Sequence, residues 1–246
     1  MTHIQINIQR KCYPAVAGAG QNLAIADLNL SLPAHEFICL VGPSGCGKTT
    51  LLNIIAGLDT DYQGTISLSQ QQLQPRIGYV FQNPRLLPWR TVRENIELAL
   101  PSPTAAVLID ELLAAMQLTE CQDVYPERLS LGMSRRVAII RAFAINPDLL
   151  LMDEPFVSID PPTARQIRQL LLKLWQHRPH GVLFVTHDLR EAITLADQLI
   201  FLSASPMQVI RNIPVTIPRN ARDDEHAIEA FRNYLIQEFP AIQKLL

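Results

Sequence analysis

The rhythm of apolar and polar positions changes several times along the chain, and each change predicts an element. The first ten residues, Met1-Thr-His-Ile-Gln-Ile-Asn-Ile-Gln-Arg10, alternate apolar with polar, the period of a half-buried strand. Residues 1 to about 35 read as short strands and turns. Residues 36–41 form a compact apolar run, as in a strand covered on both faces. Residues 51–57 have helical spacing. From about 84 to 145 the pattern is helical throughout. Residues 91–100 are predicted as a helix capped by Thr91, with Glu94 three positions on. Residues 104–116 and 134–145 follow as helices, the latter stopped by Asn146-Pro147. Apolar strands then return at 149–152, 182–186, 199–202 and 209–213. Helices are predicted between them at 163–177 and 189–196, and a terminal helix from about Asp224. Strands alternating with helices predict an α/β core, and the middle stretch reads as an inserted helical lobe.

Composition narrows this reading. The chain has 246 residues, 48% hydrophobic and 18% charged, enough for a sizeable core and unlike a disordered chain. Its 23 acidic and 21 basic residues leave no basic excess for a nucleic-acid backbone. No apolar run approaches the roughly 18 residues of a membrane span. The alternating N-terminus is a strand pattern rather than a secretory signal. Cys12, Cys39, Cys46 and Cys121 show neither metal-ligand spacing nor a disulfide rhythm, so reduced cytosolic thiols are expected.

The strongest chemical signal is Gly42-Pro-Ser-Gly-Cys-Gly-Lys-Thr-Thr50, which follows a strand and opens a helix. Glycines let backbone N–H groups turn inward around phosphates, and the helix start adds its positive end. Lys48 has the reach for β- and γ-phosphates, and the Thr49 hydroxyl suits Mg²⁺. Asp153-Glu154 ends an apolar strand. Alone, this pair reads more readily as an acidic turn or helix cap before Pro155 than as a site of Mg²⁺ and water chemistry; beside a phosphate loop the second reading wins. His187 ends another strand on what is expected to be the same edge. His3, His35, His177, His180 and His226 read as exposed histidines. Cys46 is either a small filler or a thiol activated beside a helix N-terminus.

Taken together, these blocks resemble the ATP-binding subunit of an ABC transporter. Gly42 to Thr50 matches the Walker A loop, Phe81-Gln82 the Q-loop, and Leu129-Ser-Leu-Gly-Met133 stands at the signature motif. Residues 149–154 match Walker B, Val157-Ser-Ile-Asp160 the D-loop, and His187 the switch histidine. The resemblance implies a P-loop NTPase (RecA-like) core with an N-terminal antiparallel β subdomain and an inserted α-helical subdomain. Residues 1–246 would form a single ABC ATPase domain, with the helical subdomain at about 84–145 and a C-terminal helical segment at about 224–246.

The resemblance also implies roles. Gly42, Pro43, Ser44, Gly45, Cys46, Gly47, Lys48, Thr49 and Thr50 would hold ATP, and Tyr13 would stack on adenine unless it serves simple packing. Thr49, Gln82 and Asp153 would attend Mg²⁺. Glu154 would be the general base, with His187, Gln82 and Lys48 completing the catalytic set. Ser130, Gly132 and Asp160 would act across a pair of copies. The signature departs from the usual Leu-Ser-Gly-Gly-Gln at Leu131 and Met133, but Ser130 and Gly132 remain, so closure on ATP is expected to survive. The segment from Asn83 to Asn95, with Leu86, Leu87 and Trp89 stiffened by Pro84 and Pro88, resembles the nitrate, sulfonate and taurine importer branch. It would meet a membrane permease, unless its apolar side chains pack on their own lobe. A second copy, a permease and a periplasmic binding protein are therefore the implied partners, with the chain peripheral on the cytoplasmic face of the inner membrane. The alternatives are a soluble ABC-type ATPase or an exporter or lipid-trafficking subunit.

Overall fold

A computed structural model of the chain describes residues 3–14, 22–68, 75–100 and 106–243. In chain order the strands are β1 (His3–Tyr13), β2 (Asn22–Pro33), β3 (Phe37–Val41), β4 (Gln63–Leu68), β5 (Ile77–Val80), β6 (Leu149–Asp153), β7 (Gly181–Val185), β8 (Gln198–Leu202) and β9 (Val209–Pro214). The α-helices are α1 (Lys48–Ile55), α2 (Val92–Glu97), α3 (Ala106–Ala115), α4 (Leu131–Ala144), α5 (Pro161–His177), α6 (Leu189–Leu195), α7 (Glu225–Glu238) and α8 (Pro240–Gln243). The chain divides into two compact units, residues 1–74 with 181–246, and residues 75–180. The first two residues of the helix predicted at 104–116 and the last three of the predicted terminal segment lie outside the described residues.

The first unit joins two sheets. Strand β1 pairs antiparallel with both β2 and β4, with Ile6 opposite Leu30 on one side and Ile66 on the other. Its alternation is real: Ile4, Ile6 and Ile8 are buried while Gln5 and Asn7 are exposed. The second sheet has β3 between β7 and β8, all parallel, with β9 antiparallel at β8. Every residue of β3 and of β7 is buried. That continuous apolar run is what a parallel strand requires when both of its faces are covered. The loop 42–47 leaves the carboxyl end of β3, and His187 lies just past the carboxyl end of β7, its parallel neighbour. Both therefore stand on the edge where α/β sheets bind ligands.

The second unit pairs β5 with β6 in parallel, Val80 opposite Met152, and packs helices α2 to α5 with them. Gly78 allows α4 to come close, because a Cβ there would stand 2.5 Å from the Ala142 carbonyl oxygen. The fold is thus α/β, with an antiparallel β subdomain at the N-terminus and a parallel sheet, the architecture of a P-loop NTPase.

Two of the boundaries that differ from the sequence pattern are set by side-chain caps. Helix α4 begins at Leu131, three residues before the predicted start, because the Ser130 hydroxyl accepts a hydrogen bond from Met133 N–H and caps the helix. Helix α5 begins at Pro161, capped by the Asp160 carboxylate on Thr163 N–H.

Candidate functional site

The first unit holds Tyr13, the glycine loop and His187. Gly45 and Gly47 take positive φ, 77° and 108°, a region that L side chains rarely occupy. Gly42 is tight for another reason: a Cβ there would meet Cys46 Sγ, Leu202 Cβ and the Leu202 carbonyl oxygen, each at 3.2 Å. Cys46 is buried beneath the loop, 2% exposed, which fits the filler reading of its thiol. Ser44 and Thr49 are exposed, and Pro43 is half-buried. Helix α1 has Gly47 at its N-cap, with no side-chain cap bond, and its positive end opens directly out of the loop. Lys48 is buried. Its ammonium donates to the carbonyls of Gly42 at 2.7 Å and Pro43 at 2.9 Å, and lies 3.7 Å from Cys46 Sγ. The Tyr13 hydroxyl sits 3.0 Å from Thr50 Oγ1, so the predicted base-stacking residue adjoins the first turn of α1.

His187 is exposed, but its backbone is fixed from both sides. Thr186 Oγ1 donates to Glu191 Oε2 at 2.8 Å and accepts from Asp188 N–H at 3.1 Å. Asp188 in turn caps α6. In the same unit the Cys39 thiol is pushed well up from its ordinary pKa, first by burial and then by the Glu191 charge, so it stays protonated.

The second unit holds Gln82, Ser130, Gly132, Asp153, Glu154 and Asp160. Parallel pairing of β5 with β6 brings the ends of both strands together, and Gln82 Nε2 donates to Glu154 Oε2 at 3.4 Å. Glu154 has φ 44°, a turn directly after the strand that sets its carboxylate apart from Asp153. Asp153 is 4% exposed. The Tyr79 phenol is raised well above its ordinary pKa, by burial first and by the Asp153 charge second. Ser130 Oγ spends an acceptor on the α4 cap, which leaves its O–H to donate. The cap bond from Thr163 N–H is the main reason the Asp160 carboxyl titrates below its ordinary value. Gly132 is buried, and a Cβ there would stand 2.7 Å from Thr163 Cγ2, so tight packing of α4 on α5 is one requirement for glycine here.

In the segment from Asn83 to Asn95, Trp89 is 67% exposed, while Leu86 and Leu87 are only half-buried and Pro84 is buried. The expected apolar display therefore rests on Trp89. Asn95, buried, shapes this loop. Its Oδ1 accepts from Leu87 N–H at 2.7 Å and its Nδ2 donates to the carbonyls of Leu87, Arg90 and Thr91 at 2.9–3.1 Å.

The sequence reading assigns no role to two residues of these segments. Asn95 is one. Arg135 is the other: it is 3% exposed and donates to the carbonyls of Phe81 at 3.2 Å and Val157 at 3.5 Å, joining the segments that carry Gln82 and Asp160. Burial lowers its pKa and the Glu154 charge opposes that. Nothing local in the sequence signals Arg135, since its burial and its partners 54 and 22 residues away follow from tertiary packing. One expectation is corrected. His180 is not exposed but 7% exposed, its ring edge-on to Phe143 at 5.0 Å and its Nδ1 2.8 Å from the Arg178 carbonyl oxygen.

Among the described residues no helix is long and apolar enough to cross a membrane. None of them form a cluster of three or more His, Cys, Asp or Glu fit for a metal ion. The donors expected for Mg²⁺ are instead a hydroxyl (Thr49), an amide (Gln82) and a carboxylate (Asp153), hard oxygen groups that suit this ion when it also takes phosphate oxygens and water.

The chain is similar to known ATP-binding cassettes. A family profile described as "ABC transporter" matches residues 25–157. The chain is 37% identical to the aliphatic sulfonates import ATP-binding protein SsuB of Bacillus licheniformis, over 96% of this chain and 94% of that protein. It is 40% identical to the nitrate import ATP-binding protein NrtD of Synechococcus elongatus, over 81% and 78% respectively. It is also similar to the dimeric structure of the ATP-binding cassette MJ0796 in a post-hydrolysis state bound to ADP and Pi. That similarity has a TM-score of 0.75 and 30% identity, covering 87% of this chain and all of that one.

Proposed function

This chain belongs to the ABC transporter family, and from that premise we infer that it hydrolyses ATP as one of a pair of copies and powers solute transport through separate membrane subunits. The observation that carries the reading is the loop 42–47: two left-handed glycines, an α1 N-terminus without a side-chain cap, and a buried lysine turned onto the loop's own carbonyls. Such a loop has the backbone curvature, helix start and cation that a phosphate cradle requires. The solute is a small oxyanion of the sulfonate or nitrate kind, since relatives named for importing both match most of the chain. Trp89 and its loop form the contact with the permease, which holds the chain at the cytoplasmic face of the inner membrane, and a periplasmic binding protein delivers the solute from the far side.

Each side chain then has a task. Loop amides and Lys48 bind the phosphates, and Tyr13 stacks on the base. Thr49, Gln82 and Asp153 would hold Mg²⁺, which would supply neutralisation of phosphate charge. Glu154 takes the proton of the attacking water, and the Gln82 amide orients that carboxylate. His187, on its fixed turn, contacts the γ-phosphate. Ser130, with its O–H available, donates to the triphosphate held by the other copy, while Gly132 and Asp160 shape the same junction.

Glu154→Gln is the test. It retains shape and hydrogen bonding but removes the base, so ATP affinity stays within about threefold while turnover falls at least about a hundredfold. The variant also accumulates as an ATP-bound dimer in size-exclusion chromatography. Undiminished turnover would remove Glu154 from this role.

A further inference from the structure

The Tyr13 ring is held by more than its hydroxyl. Lys11, two residues earlier on β1, is only 3% exposed, a rare state for lysine. Its ammonium stands 4.8 Å from the Tyr13 ring centroid, within cation–π range. It donates to Asp59 Oδ1 at 2.8 Å and to the Asp61 carbonyl at 2.7 Å, and Asp61 Oδ2 lies at 3.5 Å. Both aspartates follow α1, so the cation ties β1 to the far end of the helix whose first turn meets the Tyr13 hydroxyl. Pairing of β1 with β2 shifts register between Lys11 and Cys12, the kind of irregularity that re-aims a side chain. Burial pulls the ammonium's pKa down, but the Asp59 bond and the two carboxylates outweigh it, so the pKa is raised and the cation persists. Tyr13 nonetheless keeps 38% exposure, which leaves its ring open to a ligand.

We propose that Lys11 is a positioning residue for nucleotide selection: its buried ammonium, locked by Asp59 and the Asp61 carbonyl, fixes the Tyr13 ring as a platform for one aromatic base. The Thr50 hydroxyl anchors the ring's other end. This rests on the reading of Tyr13 as the base-stacking residue. It separates the two halves of nucleotide affinity. The loop 42–47 grips phosphate, and Lys11 acts only on the base.

Calorimetric titration of the full chain with Mg-ATP and, separately, with inorganic tripolyphosphate tests the separation. Lys11→Met weakens ATP binding about three- to tenfold, the range of a partly desolvated cation–π contact, and leaves tripolyphosphate unchanged. Lys11→Arg, which keeps a cation, restores most of the loss. Should Lys11→Met fail to fold by circular dichroism, Asp59→Asn carries the test, since it retains both Lys11 and Tyr13 while releasing the ammonium; a smaller loss for ATP alone is expected. Wild-type ATP affinity in these variants, or equal losses for ATP and tripolyphosphate, would overturn the proposal. Tyr13→Ala distinguishes the underlying reading: if it binds ATP as tightly as the wild type, the platform itself is wrong.

Discussion

Gly132 offers a quantitative test because two explanations compete for it. The family resemblance gives it a place near phosphate, whereas its packing against α5 is enough by itself to require glycine. A methyl group at Gly132 would sit 2.7 Å from Thr163 Cγ2. Carbon atoms prefer about 3.5–4.0 Å, so the overlap is roughly 1 Å in a helix–helix contact. Overpacking of this size costs about 1–3 kcal/mol, while alanine regains about 0.5–1 kcal/mol of helix propensity. Gly132→Ala is therefore expected to lose about 1–2 kcal/mol net, a fall in Tm of about 2–8 °C for a chain of this length. Thr163→Ser removes the offending methyl but keeps the hydroxyl and the backbone N–H that Asp160 caps. In that background the alanine should cost close to nothing, a coupling of at least about 1 kcal/mol between the two sites. Thermal denaturation of the four proteins measures the cycle, and ATP hydrolysis on the same four separates the explanations. Recovery of both stability and hydrolysis in the double variant assigns Gly132 to packing. A Gly132→Ala protein as stable as the wild type, or one equally destabilised in both backgrounds, refutes the reasoning.

Two further outcomes follow from single contacts. Asn95→Ala strands the Leu87 N–H and takes the side-chain donor from the Arg90 carbonyl, while the Leu87 and Thr91 carbonyls keep their backbone donors, at a cost of about 1–3 kcal/mol by urea denaturation, and should loosen the loop bearing Trp89 enough to reduce co-purification with the permease; unchanged stability would contradict its scaffolding role. Asp160 titrates below its ordinary value, so its charge contributes stability above the usual carboxylate range and loses it as pH falls through the depressed folded value. Asp160→Asn caps without titrating, so the wild type's advantage over the variant should vanish on acidification, and a constant gap down to the acid limit would exclude that linkage.

What the sequence reveals here depends on range. The phosphate loop was readable because strand, glycines and helix adjoin one another, and its glycines take the conformations that explain them. The start of α2 was equally local. Thr91 Oγ1 accepts from Glu94 N–H at 3.3 Å and Glu94 Oε2 accepts from Thr91 N–H at 2.8 Å, the reciprocal pair expected from the spacing. The start of α4 was misplaced because Gly132 and Ser134 dilute the helical pattern, although the Ser130 cap overrides them. His180 looked like a surface residue until Phe143 closed over it. Lys11, Asn95 and Arg135 carry no local signature. Lys11 acts through a partner 48 residues away and Arg135 reaches a carbonyl 54 residues away, distances over which periodicity says nothing.

Lys48 deserves a last thought for how it rests. Its ammonium is tethered to the carbonyls of Gly42 and Pro43 within the loop it serves. A long cation ordinarily surrenders up to about 2 kcal/mol of rotamer freedom when it seizes an anion. Here the fold already restrains the side chain, so the phosphate binding proposed for Lys48 would be an exchange of acceptors within a formed loop. The same two bonds would then bear both on the firmness of the resting loop and on the tightness of its grip.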